Sequence, residues 1–507
     1  MAISAKRVSE RLAGTAELAL LDVREQGVHY RGHPFFACSA PLSRLELMIG
    51  DLVPRKSVPV ILLDGGNEGL SEKSELKLKA LGYSDVSILE GGCEGWKQAG
   101  LELFSGVNVP SKAFGEFVEH HYGTPRIPPH ELPKEKFVIL DSRPFEEYRR
   151  MNIPGGINVP GAELAWRVHD LAPDPETLVV VNCAGRTRSI IGCQSLRNAG
   201  IPNRVVALKD GTMGWDLAGL ECERGSQRVG GAPSAAGKEK ALAAAERVVL
   251  RFQVKVTSIR EVKSWQADPS RTVYLLDVRT REEFEKSHVA GSRHAPGGQL
   301  VQASDEYVGV RSARVVLIDP ERVRAVMTAS WLNQMGWDDV YVLDDISGLP
   351  LESGPRPAPA VKKWKTVADV AGATVLDLST SLRFNRAHIP GAWWGVRSRL
   401  SQVSEKIPAV KKLILTSEDG LLAHLAAPEA AEQFPQADVA VFEGGNAAWK
   451  GPTESGIERA TTERDDVWYK PYDHASDYKK HARDYLSWEV ALVDQIKRDP
   501  TIRFRSY

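Results

Sequence analysis

The chain has 507 residues, too many for one hydrophobic core, so we expect several domains of about 100–150 residues each. Hydrophobic residues make up 42% and charged residues 26%, a globular composition that excludes wholesale disorder. The 65 Lys and Arg residues balance 66 Asp and Glu residues, so the net charge favours neither nucleic acid nor a membrane as partner. The N-terminus lacks a signal-peptide core and no stretch approaches 18 apolar residues, which predicts a cytoplasmic protein.

The cysteines indicate thiol chemistry rather than a disulfide framework or a metal site. They are odd in number and sparse, and no CxxC or clustered Cys/His spacing is typical of zinc. We therefore expect no metal, no cofactor and a reducing compartment. The five are Cys38, Cys93, Cys183, Cys193 and Cys222.

One apolar strand that ends in an acidic residue and a turn occurs four times along the chain. The four copies are ALLDVRE (19–25), FVILDSRP (137–144), YLLDVRT (274–280) and TVLDLST (374–380). Each copy continues through a Pro-, Gly- or His-rich turn to a short, continuously apolar strand, which is typical of a parallel strand buried on both faces. Strands that alternate with helices predict an α/β fold in which each copy has a mainly parallel sheet flanked by helices.

Shifts in composition give the expected boundaries. We expect four domains at residues 1–108, 109–226, 251–355 and 361–455. Residues 227–250 have the composition of a flexible linker that enters a helix, and the Pro-rich segment before residue 361 that of a stiff spacer.

The tail, residues 456–507, lies outside the repeat. Its apolar side chains recur at helical spacing, which predicts an amphipathic helix that docks on the body of the protein or on a second copy of the chain in a homodimer. These side chains are Tyr478, Tyr485, Trp488, Leu492 and Ile496.

The second copy contains a loop whose sequence predicts a reactive cysteine. In VVVNCAGRTRSIIG, Cys183 lies where a strand is followed by a helix. Ligands of open parallel sheets bind at this edge, and inward-facing N–H groups at a helix N-terminus bind anions. Gly185 lets the backbone curl, and Arg186 and Arg188 add positive charge. Such surroundings lower a thiol pKa from about 8.5 toward neutrality, so we expect a thiolate. The alternative, a buried structural cysteine, needs neither the glycine nor the arginines.

All four copies resemble rhodanese domains, and the second carries that family's active-site loop, CAGRTRS. The resemblance covers roughly residues 1–455 and rests on the LDxR strand end, the HIPGA-type turn, this loop and the EGG…GW segment. It implies that Cys183 takes sulfane sulfur from thiosulfate or a related persulfide donor, holds it as a persulfide, and passes it to a thiol or cyanide by ping-pong kinetics. The implied partners are small sulfur-containing anions and thiols.

In this interpretation Cys183 is the nucleophile, and Arg186 and Arg188 bind the anionic donor and stabilise the departing sulfite. Ser189 is expected to begin the helix and to cap it. Asp141 and Arg143 are expected to support the loop structurally, because the same strand end persists in copies without the cysteine. The expected binding residues, whose backbone N–H groups would cradle the persulfide, are Ala184, Gly185, Arg186, Thr187, Arg188 and Ser189.

The other three copies have no cysteine at this position. Aligning the central strands places Asp64, Asp319 and Ser417 there, and none of them can form a persulfide. The acidic first loop would repel an anionic donor, and Pro320 removes an N–H that the third loop would need. By resemblance to tandem rhodaneses, we expect the first two copies to form one pair whose interface walls the site, and the last two to form a second, inactive pair.

Two alternatives remain open. Phosphatases and arsenate reductases share this fold, but their loop is one residue longer than the C-x4-R spacing from Cys183 to Arg188, so the count favours sulfur. The hypothesis of a non-catalytic regulatory or scaffolding protein agrees with the three degenerate copies, but it does not explain why the CAGRTRS loop is intact. Cys193 is expected in the core, and Cys93 and Cys222 are weak candidates for accepting sulfur from Cys183. The sequence names neither the physiological donor nor the acceptor, nor the oligomeric state.

Overall fold

The computed structural model describes residues 2–474 and 476–507, and it contains four successive α/β units. In each unit the sheet runs from a short first strand to the last long strand, then to the central strand and then to the strand of the repeated LD motif. Neighbouring strands along this path are parallel. The repeated strand order confirms the predicted fold class.

The strands of the four sheets follow in spatial order. The first unit has Ala2–Ile3, Val86–Leu89, Val60–Leu63 and Leu18–Asp22, with Cys38–Ser39 beside the last of these. The second has Arg126–Ile127, Val205–Leu208, Leu178–Asn182, Phe137–Asp141 and Ile157–Asn158. The third has Lys255–Thr257, Val340–Leu343, Arg314–Ile318, Val273–Asp277 and Arg293–His294, and the fourth has Thr366–Val367, Asp438–Phe442, Lys412–Thr416, Thr374–Asp377 and Trp393–Trp394. A separate antiparallel pair joins His288–Val289 to Leu351–Glu352.

Helices flank each sheet. Those of the first unit are Ala5–Ala13, Gln26–His29, Leu45–Leu52, Leu70–Ala80 and Gly92–Gln98. Those of the second are Val109–Tyr122, Phe145–Arg150, Glu163–Leu171, Thr187–Ala199 and Gly211–Leu217, with a 3₁₀ turn at Pro129–Glu131. Those of the third are Ala235–Phe252, Ile259–Ala267, Arg281–Lys286, Gly297–Gln302, Ser304–Tyr307 and Val323–Gln334. The fourth has Ser381–Arg386, Leu400–Lys406, Leu421–Gln433, Gly445–Ala448 and a 3₁₀ turn at Arg397–Arg399, and the tail has Pro471–Asp473 (3₁₀) and Tyr478–Ile496.

The central strands explain where the loops of interest lie. Leu178–Asn182 is buried along its whole length because helices cover both faces of its sheet, so its sequence is an unbroken apolar run up to Asn182. Cys183 follows immediately. The equivalent strands end one residue before Asp64, Asp319 and Ser417, as the sequence alignment places them.

The units do not pair in the order expected from the sequence. Strand Val310–Arg311 of the third unit pairs antiparallel with Leu18–Asp22 and so extends the sheet of the first unit. It covers the half of that edge which Cys38–Ser39 leaves open, and it satisfies backbone groups that would otherwise be unpaired. The third unit therefore contacts the first directly, so the predicted separation of the first two units from the last two is wrong.

The fourth unit packs on the first through a cluster of buried and half-buried charges. The guanidinium of Arg397 lies 2.9 Å from the carboxylate of Glu46 and 2.7 Å from that of Glu429. Lys77 contacts the same two carboxylates at 2.9 and 2.7 Å. Each carboxylate thus has a cation from both units, which fixes the fourth unit against the first rather than against the third.

Segment 227–250, expected as a flexible linker that enters a helix, is a connector only over its first residues. Helix Ala235–Phe252 begins after an N-cap at Ser234 and packs against Glu163–Leu171 and Val323–Gln334, between the second and third units. Alanine has the highest helix propensity, and its small side chain lets helices approach closely. The helix that the segment was expected to enter therefore begins at Ala235, and it is packed between two units rather than flexible.

The tail forms the predicted amphipathic helix, Tyr478–Ile496. It packs on helix Val109–Tyr122 of the same chain and buries Ala482, Glu489 and Leu492. The docking face that the sequence offered to the protein body or to a second copy is therefore occupied within the chain. Among residues 2–474 and 476–507, no helix is long and apolar enough to cross a membrane, and no cluster of three or more metal-ligating side chains occurs.

Candidate active site

Cys183 lies in a tight loop between strand Leu178–Asn182 and helix Thr187–Ala199. The start of the next helix holds this loop from behind, since the backbone N–H and the hydroxyl of Thr212 donate to the Cys183 carbonyl at 2.8 and 3.0 Å. Gly211 has φ +58°, and a Cβ there would lie 2.5 Å from the same carbonyl oxygen, so only glycine fits. The thiol is free and only 2% exposed.

Ser189 lies beside the thiol but does not cap the helix as expected. It is the third residue of helix Thr187–Ala199, and its hydroxyl donates to the carbonyl of Arg186 at 2.7 Å. The Cys183 Sγ lies 3.5 Å from the Ser189 Oγ, with the thiol as donor. The predicted capping role is therefore wrong, because the hydroxyl donates to the Arg186 carbonyl and its oxygen accepts from the Cys183 thiol.

Arg186 was expected to bind the anionic donor, but its guanidinium is already occupied. It forms a bidentate pair with Glu116, with both distances 2.7 Å, and a second pair with Glu119 at 2.5 Å. Although burial opposes the charge, the hydrogen bonds and charge of Glu116 raise the pKa of Arg186 above its usual value. In this structure Arg186 therefore ties the loop to helix Val109–Tyr122, and its binding of the donor stays a prediction.

Arg188 faces the site and has one acidic partner. Its guanidinium contacts the carboxylate of Glu147 at 2.9 Å. Burial opposes the ionisation of Glu147, but Arg188 and the ammonium of Lys470 hold the pKa of that carboxyl well below its usual range. Arg188 also lines a pocket together with Ala184, the residue after Cys183, so it is the loop arginine placed to meet an anion there.

The tail helix contributes a buried carboxylate that the sequence analysis missed. The Glu489 Oε1 accepts from the hydroxyls of Thr187 and Tyr485 at 3.0 and 2.9 Å, and lies 3.1 Å from the Lys112 Nζ. The Glu489 Oε2 has no hydrogen-bond partner among the described residues. The sequence does contain an indication of this residue. Glu489 lies four residues after Tyr485 and three before Leu492, so it falls on the apolar face of the helix, where a glutamate is unusual.

Contact with the tail, rather than loop curvature, explains the glycine at 185. Gly185 is not among the glycines with positive φ. A Cβ on Gly185 would lie 3.2 Å from the Glu489 Oε2, 3.3 Å from a ring carbon of Tyr485 and 3.4 Å from Leu486. The loop and the tail helix therefore pack at a distance that leaves little room for a larger residue.

A pocket of about 210 Å³ opens beside the loop. Its walls come from the first unit through Gln26, the connection to the second unit, the second unit, the third unit and the tail. The first unit therefore contributes to the wall, as expected, together with the third unit and the tail. Representative lining residues are Lys112, Ala184, Arg188, Gln302, Lys470 and Tyr485.

Asp141 and Arg143 have the structural role that the sequence predicts. Their side chains form a buried ion pair at 2.6 Å, and Arg143 also donates to the carbonyl of Met151. The Asn182 amide donates to Asp141 at 3.0 Å, which fixes the residue just before Cys183. The same pair recurs in units without the cysteine, as Asp22 with Arg24 and Asp277 with Arg279.

In the first and third units an internal carboxylate fills the loop. The Asp64 carboxylate accepts backbone N–H bonds from Gly66, Leu70 and Ser71 at 2.8, 3.1 and 3.1 Å. Asp319 likewise accepts the N–H of Arg324 at 2.8 Å. These donors are of the kind that would hold a bound anion, so both loops are closed by their own side chains.

The fourth loop and the remaining cysteines show no reactive arrangement. Ser417 Oγ accepts only a 3.3 Å bond from the N–H of Ala423. Burial raises the pKa of Cys93 and of Cys193 to about 12, and also raises that of Cys222. Cys193 lies in the core as expected, and no hydrogen bond joins Cys93 or Cys222 to Cys183 in the described part of the chain.

Known proteins resemble this chain in sequence and structure. A thiosulfate sulfurtransferase from Pseudomonas aeruginosa is 45% identical, with 99% of each chain covered and a TM-score of 0.94. The Alr3790 protein from Anabaena sp. is 27% identical over 21% of this chain and 93% of its own, with a TM-score of 0.20. An HTH-type transcriptional regulator, Rv0324 of Mycobacterium tuberculosis, is 39% identical over 90 residues, which are 18% of this chain and 38% of that curated relative's length.

The family comparison agrees with the repeat. The model of the rhodanese-like domain matches residues 4–99, 130–218 and 258–345, which correspond to the first three units. The fourth unit has the same strand order, although its residues fall outside these matches. The chain belongs to the rhodanese-like family.

Proposed function

We propose that this protein is a sulfurtransferase that carries sulfane sulfur as a persulfide on Cys183. The observation that carries the proposal is the contrast between the four loops. Only the second loop has a free thiol at the end of its central strand, beside Arg188 and a pocket, whereas Asp64 and Asp319 fill theirs. The likeness to a thiosulfate sulfurtransferase along the whole chain supports the same reading.

The proposed reaction has two displacement steps. The Cys183 thiolate attacks the outer sulfur of thiosulfate, so a new S–S bond forms and the S–S bond of thiosulfate breaks. Sulfite leaves with the bonding electron pair. A thiolate or cyanide then attacks the outer sulfur of the Cys183 persulfide, which breaks the enzyme's S–S bond and returns Cys183 as a thiolate. No external oxidant or reductant is needed.

The pocket residues fit a small anionic donor. Arg188, Lys112 and Lys470 bring positive charge to the walls, and the backbone N–H groups at the start of helix Thr187–Ala199 are suited to a bound anion. The low exposure of Cys183 protects a persulfide from water. A donor with a charged sulfonate head and a terminal sulfur, such as thiosulfate, matches this arrangement.

Initial rates with thiosulfate and cyanide as paired substrates test the proposal. A persulfide intermediate predicts parallel lines in double-reciprocal plots, and the Cys183→Ser protein should lose turnover while keeping its thermal unfolding midpoint. Cys93→Ser, a buried cysteine of the first unit, is the matched control and should keep turnover. Intersecting lines, or turnover in folded Cys183→Ser, would show that sulfur does not pass through this thiol.

A further inference from the structure

A second, larger cavity lies next to the catalytic pocket. It is a cleft of about 910 Å³ whose walls come from the second unit, the fourth unit and the tail. Its charged lining is rich in arginine and differs in this respect from the small pocket beside Cys183. The mechanism proposed above gives no role to Arg149, Arg224 or Arg386, which line this cleft.

Several of the cleft's charges are already paired. Arg143 pairs with Asp141, Arg150 lies 2.8 Å from Asp473, and Lys470 lies 3.7 Å from Glu147. The two charges within each pair neutralise each other, so these residues form part of the walls without offering a net charge to a ligand.

Three arginines of the cleft have no acidic partner. Among the described residues, no carboxylate lies within ion-pair distance of the guanidinium groups of Arg149, Arg224 or Arg386, and all three are exposed. Arg224 contacts only the carbonyl of Arg150 and the sulfur of Met151. Glu146 and Asp216 also line the cleft and likewise have no cationic partner in the described part of the chain.

This set of unpaired charges favours a particular class of ligand. Guanidinium groups bind carboxylates through charge-assisted hydrogen bonds, and a free carboxylate binds an ammonium group. Three free cations against two free acids fit a small zwitterion with more carboxylates than ammonium groups. A volume of about 910 Å³ accommodates a peptide-sized molecule rather than a single small anion.

The cleft and the catalytic pocket share a wall. Glu147, Trp468, Lys470 and Tyr472 line both cavities. Arg188 lines the pocket and contacts Glu147, a residue of this shared wall, at 2.9 Å. A ligand held in the cleft is therefore one side-chain layer away from the loop of Cys183.

We infer that the cleft binds the sulfur acceptor, and that this acceptor is a low-molecular-weight peptide or amino-acid thiol carrying an excess of carboxylates. The inference rests on the sulfurtransferase function proposed above. The acceptor's carboxylates lie on Arg149, Arg224 and Arg386, and its thiol extends past Lys470 and Tyr472 toward the persulfide. The thiol loses its proton to solvent, its sulfur attacks the outer sulfur of the persulfide, and Cys183 leaves as a thiolate, giving the acceptor persulfide.

Discharge of the preloaded persulfide by different thiols tests the inference. Glutathione is the zwitterionic probe, its diethyl ester is the same thiol without the carboxylates, and 2-mercaptoethanol is an uncharged thiol. In the Arg149→Ala/Arg386→Ala protein, we expect the glutathione concentration for half-maximal discharge to rise ten- to hundred-fold. Discharge by the ester and by 2-mercaptoethanol should be unchanged. Arg7→Ala, an exposed arginine of the first unit, is the matched control.

A binding measurement separates this inference from the proposed function. Calorimetry with S-methylglutathione, which cannot react, should show binding to the wild-type protein and at least ten-fold weaker binding to the double variant. If Cys183 forms no persulfide but this binding is seen, the proposed function fails and the site stands. If the wild-type protein does not bind S-methylglutathione, or discharges glutathione and its ester equally well, the inference is overturned.

Discussion

The hydroxyl of Thr187 in the catalytic loop donates a 3.0 Å hydrogen bond to the carboxylate of Glu489, 302 residues further along the chain. Lys112 and Tyr485 bond to the same oxygen. The last helix of the chain is therefore a wall of the site at which we propose that sulfur transfer takes place.

We expect Glu489→Ala to lower the rate of sulfur transfer by at least ten-fold. The substitution leaves Lys112, Thr187 and Tyr485 without their acceptor, and a lost hydrogen bond to a charged group costs about 1.5–3 kcal/mol. Glu489→Gln keeps an acceptor oxygen and should retain more activity than the alanine variant. Steady-state kinetics at saturating thiosulfate measures this.

The control for Glu489 is Asp494→Asn on the same helix, because the Asp494 side chain is 81% exposed and contacts only Lys497. It should leave kcat unchanged. If Glu489→Ala unfolds at the wild-type midpoint and keeps the wild-type kcat, then the tail does not position the loop.

Arg186→Ala should destabilise the protein rather than weaken donor binding. It leaves the buried carboxylate of Glu116 unpaired, and breaking a buried ion pair costs about 3–5 kcal/mol. Urea unfolding measures the loss, and adding Glu116→Gln should recover part of it. A stable Arg186→Ala protein whose only defect is a raised KM for thiosulfate would restore the donor-binding role.

Arg188→Ala should weaken donor binding, in addition to any loss of stability from its ion pair with Glu147. Arg188 lines the pocket, so we expect its loss to raise the KM for thiosulfate by about ten- to hundred-fold through one charge-assisted hydrogen bond. Initial rates over a wide thiosulfate range measure it, with Arg188→Lys as the variant that keeps the charge. An unchanged KM in Arg188→Ala would place the donor elsewhere.

The contrast between these two arginines marks the limit of what the sequence could predict. The repeat, the strand order and the position of Cys183 follow from local patterns, namely apolar runs, turns and the CAGRTRS motif. The partners of Arg186 and Thr187 do not, because Glu116 lies 70 residues before the arginine and Glu489 at the far end of the chain. The arrangement of the units could not be predicted either. Val310–Arg311 forms a strand only by pairing with the sheet edge of the first unit, and no local pattern identifies that partner.

Asp64→Ala should destabilise the first unit without affecting catalysis. The Asp64 carboxylate accepts three backbone N–H groups, which the substitution leaves without their acceptor at a cost of about 1–3 kcal/mol. Thermal unfolding should show the loss, while kcat and KM at 25 °C stay at wild-type values. A fall in kcat that exceeds the loss of folded protein would indicate that the first loop takes part in the reaction.

Stability should fall as the pH rises through neutrality because of Glu25, at the interface of the first and fourth units. Burial raises the pKa of Glu25 from 4.5 to about 7, although Ser398 and Ser43 both donate to it. The folded state therefore binds this proton more tightly than the unfolded state, so the contribution is present below pH 4.5 and is lost as the pH passes 7. The loss amounts to up to about 3 kcal/mol.

Glu25→Gln tests this pH dependence. Urea unfolding at pH 5, 6, 7 and 8 should show that the variant gains stability relative to the wild-type protein as the pH rises. A constant difference between the two proteins over this range would mean that Glu25 ionises normally in the folded state.

The most direct test of the central claim is the intact mass of the protein after incubation with thiosulfate and removal of excess donor. The account predicts a gain of one sulfur atom on the wild-type chain, mapped by peptide analysis to the segment that contains Cys183 and absent from Cys183→Ser. A wild-type mass that does not change, or a sulfur atom that Cys183→Ser acquires equally well, would contradict a persulfide carried on Cys183.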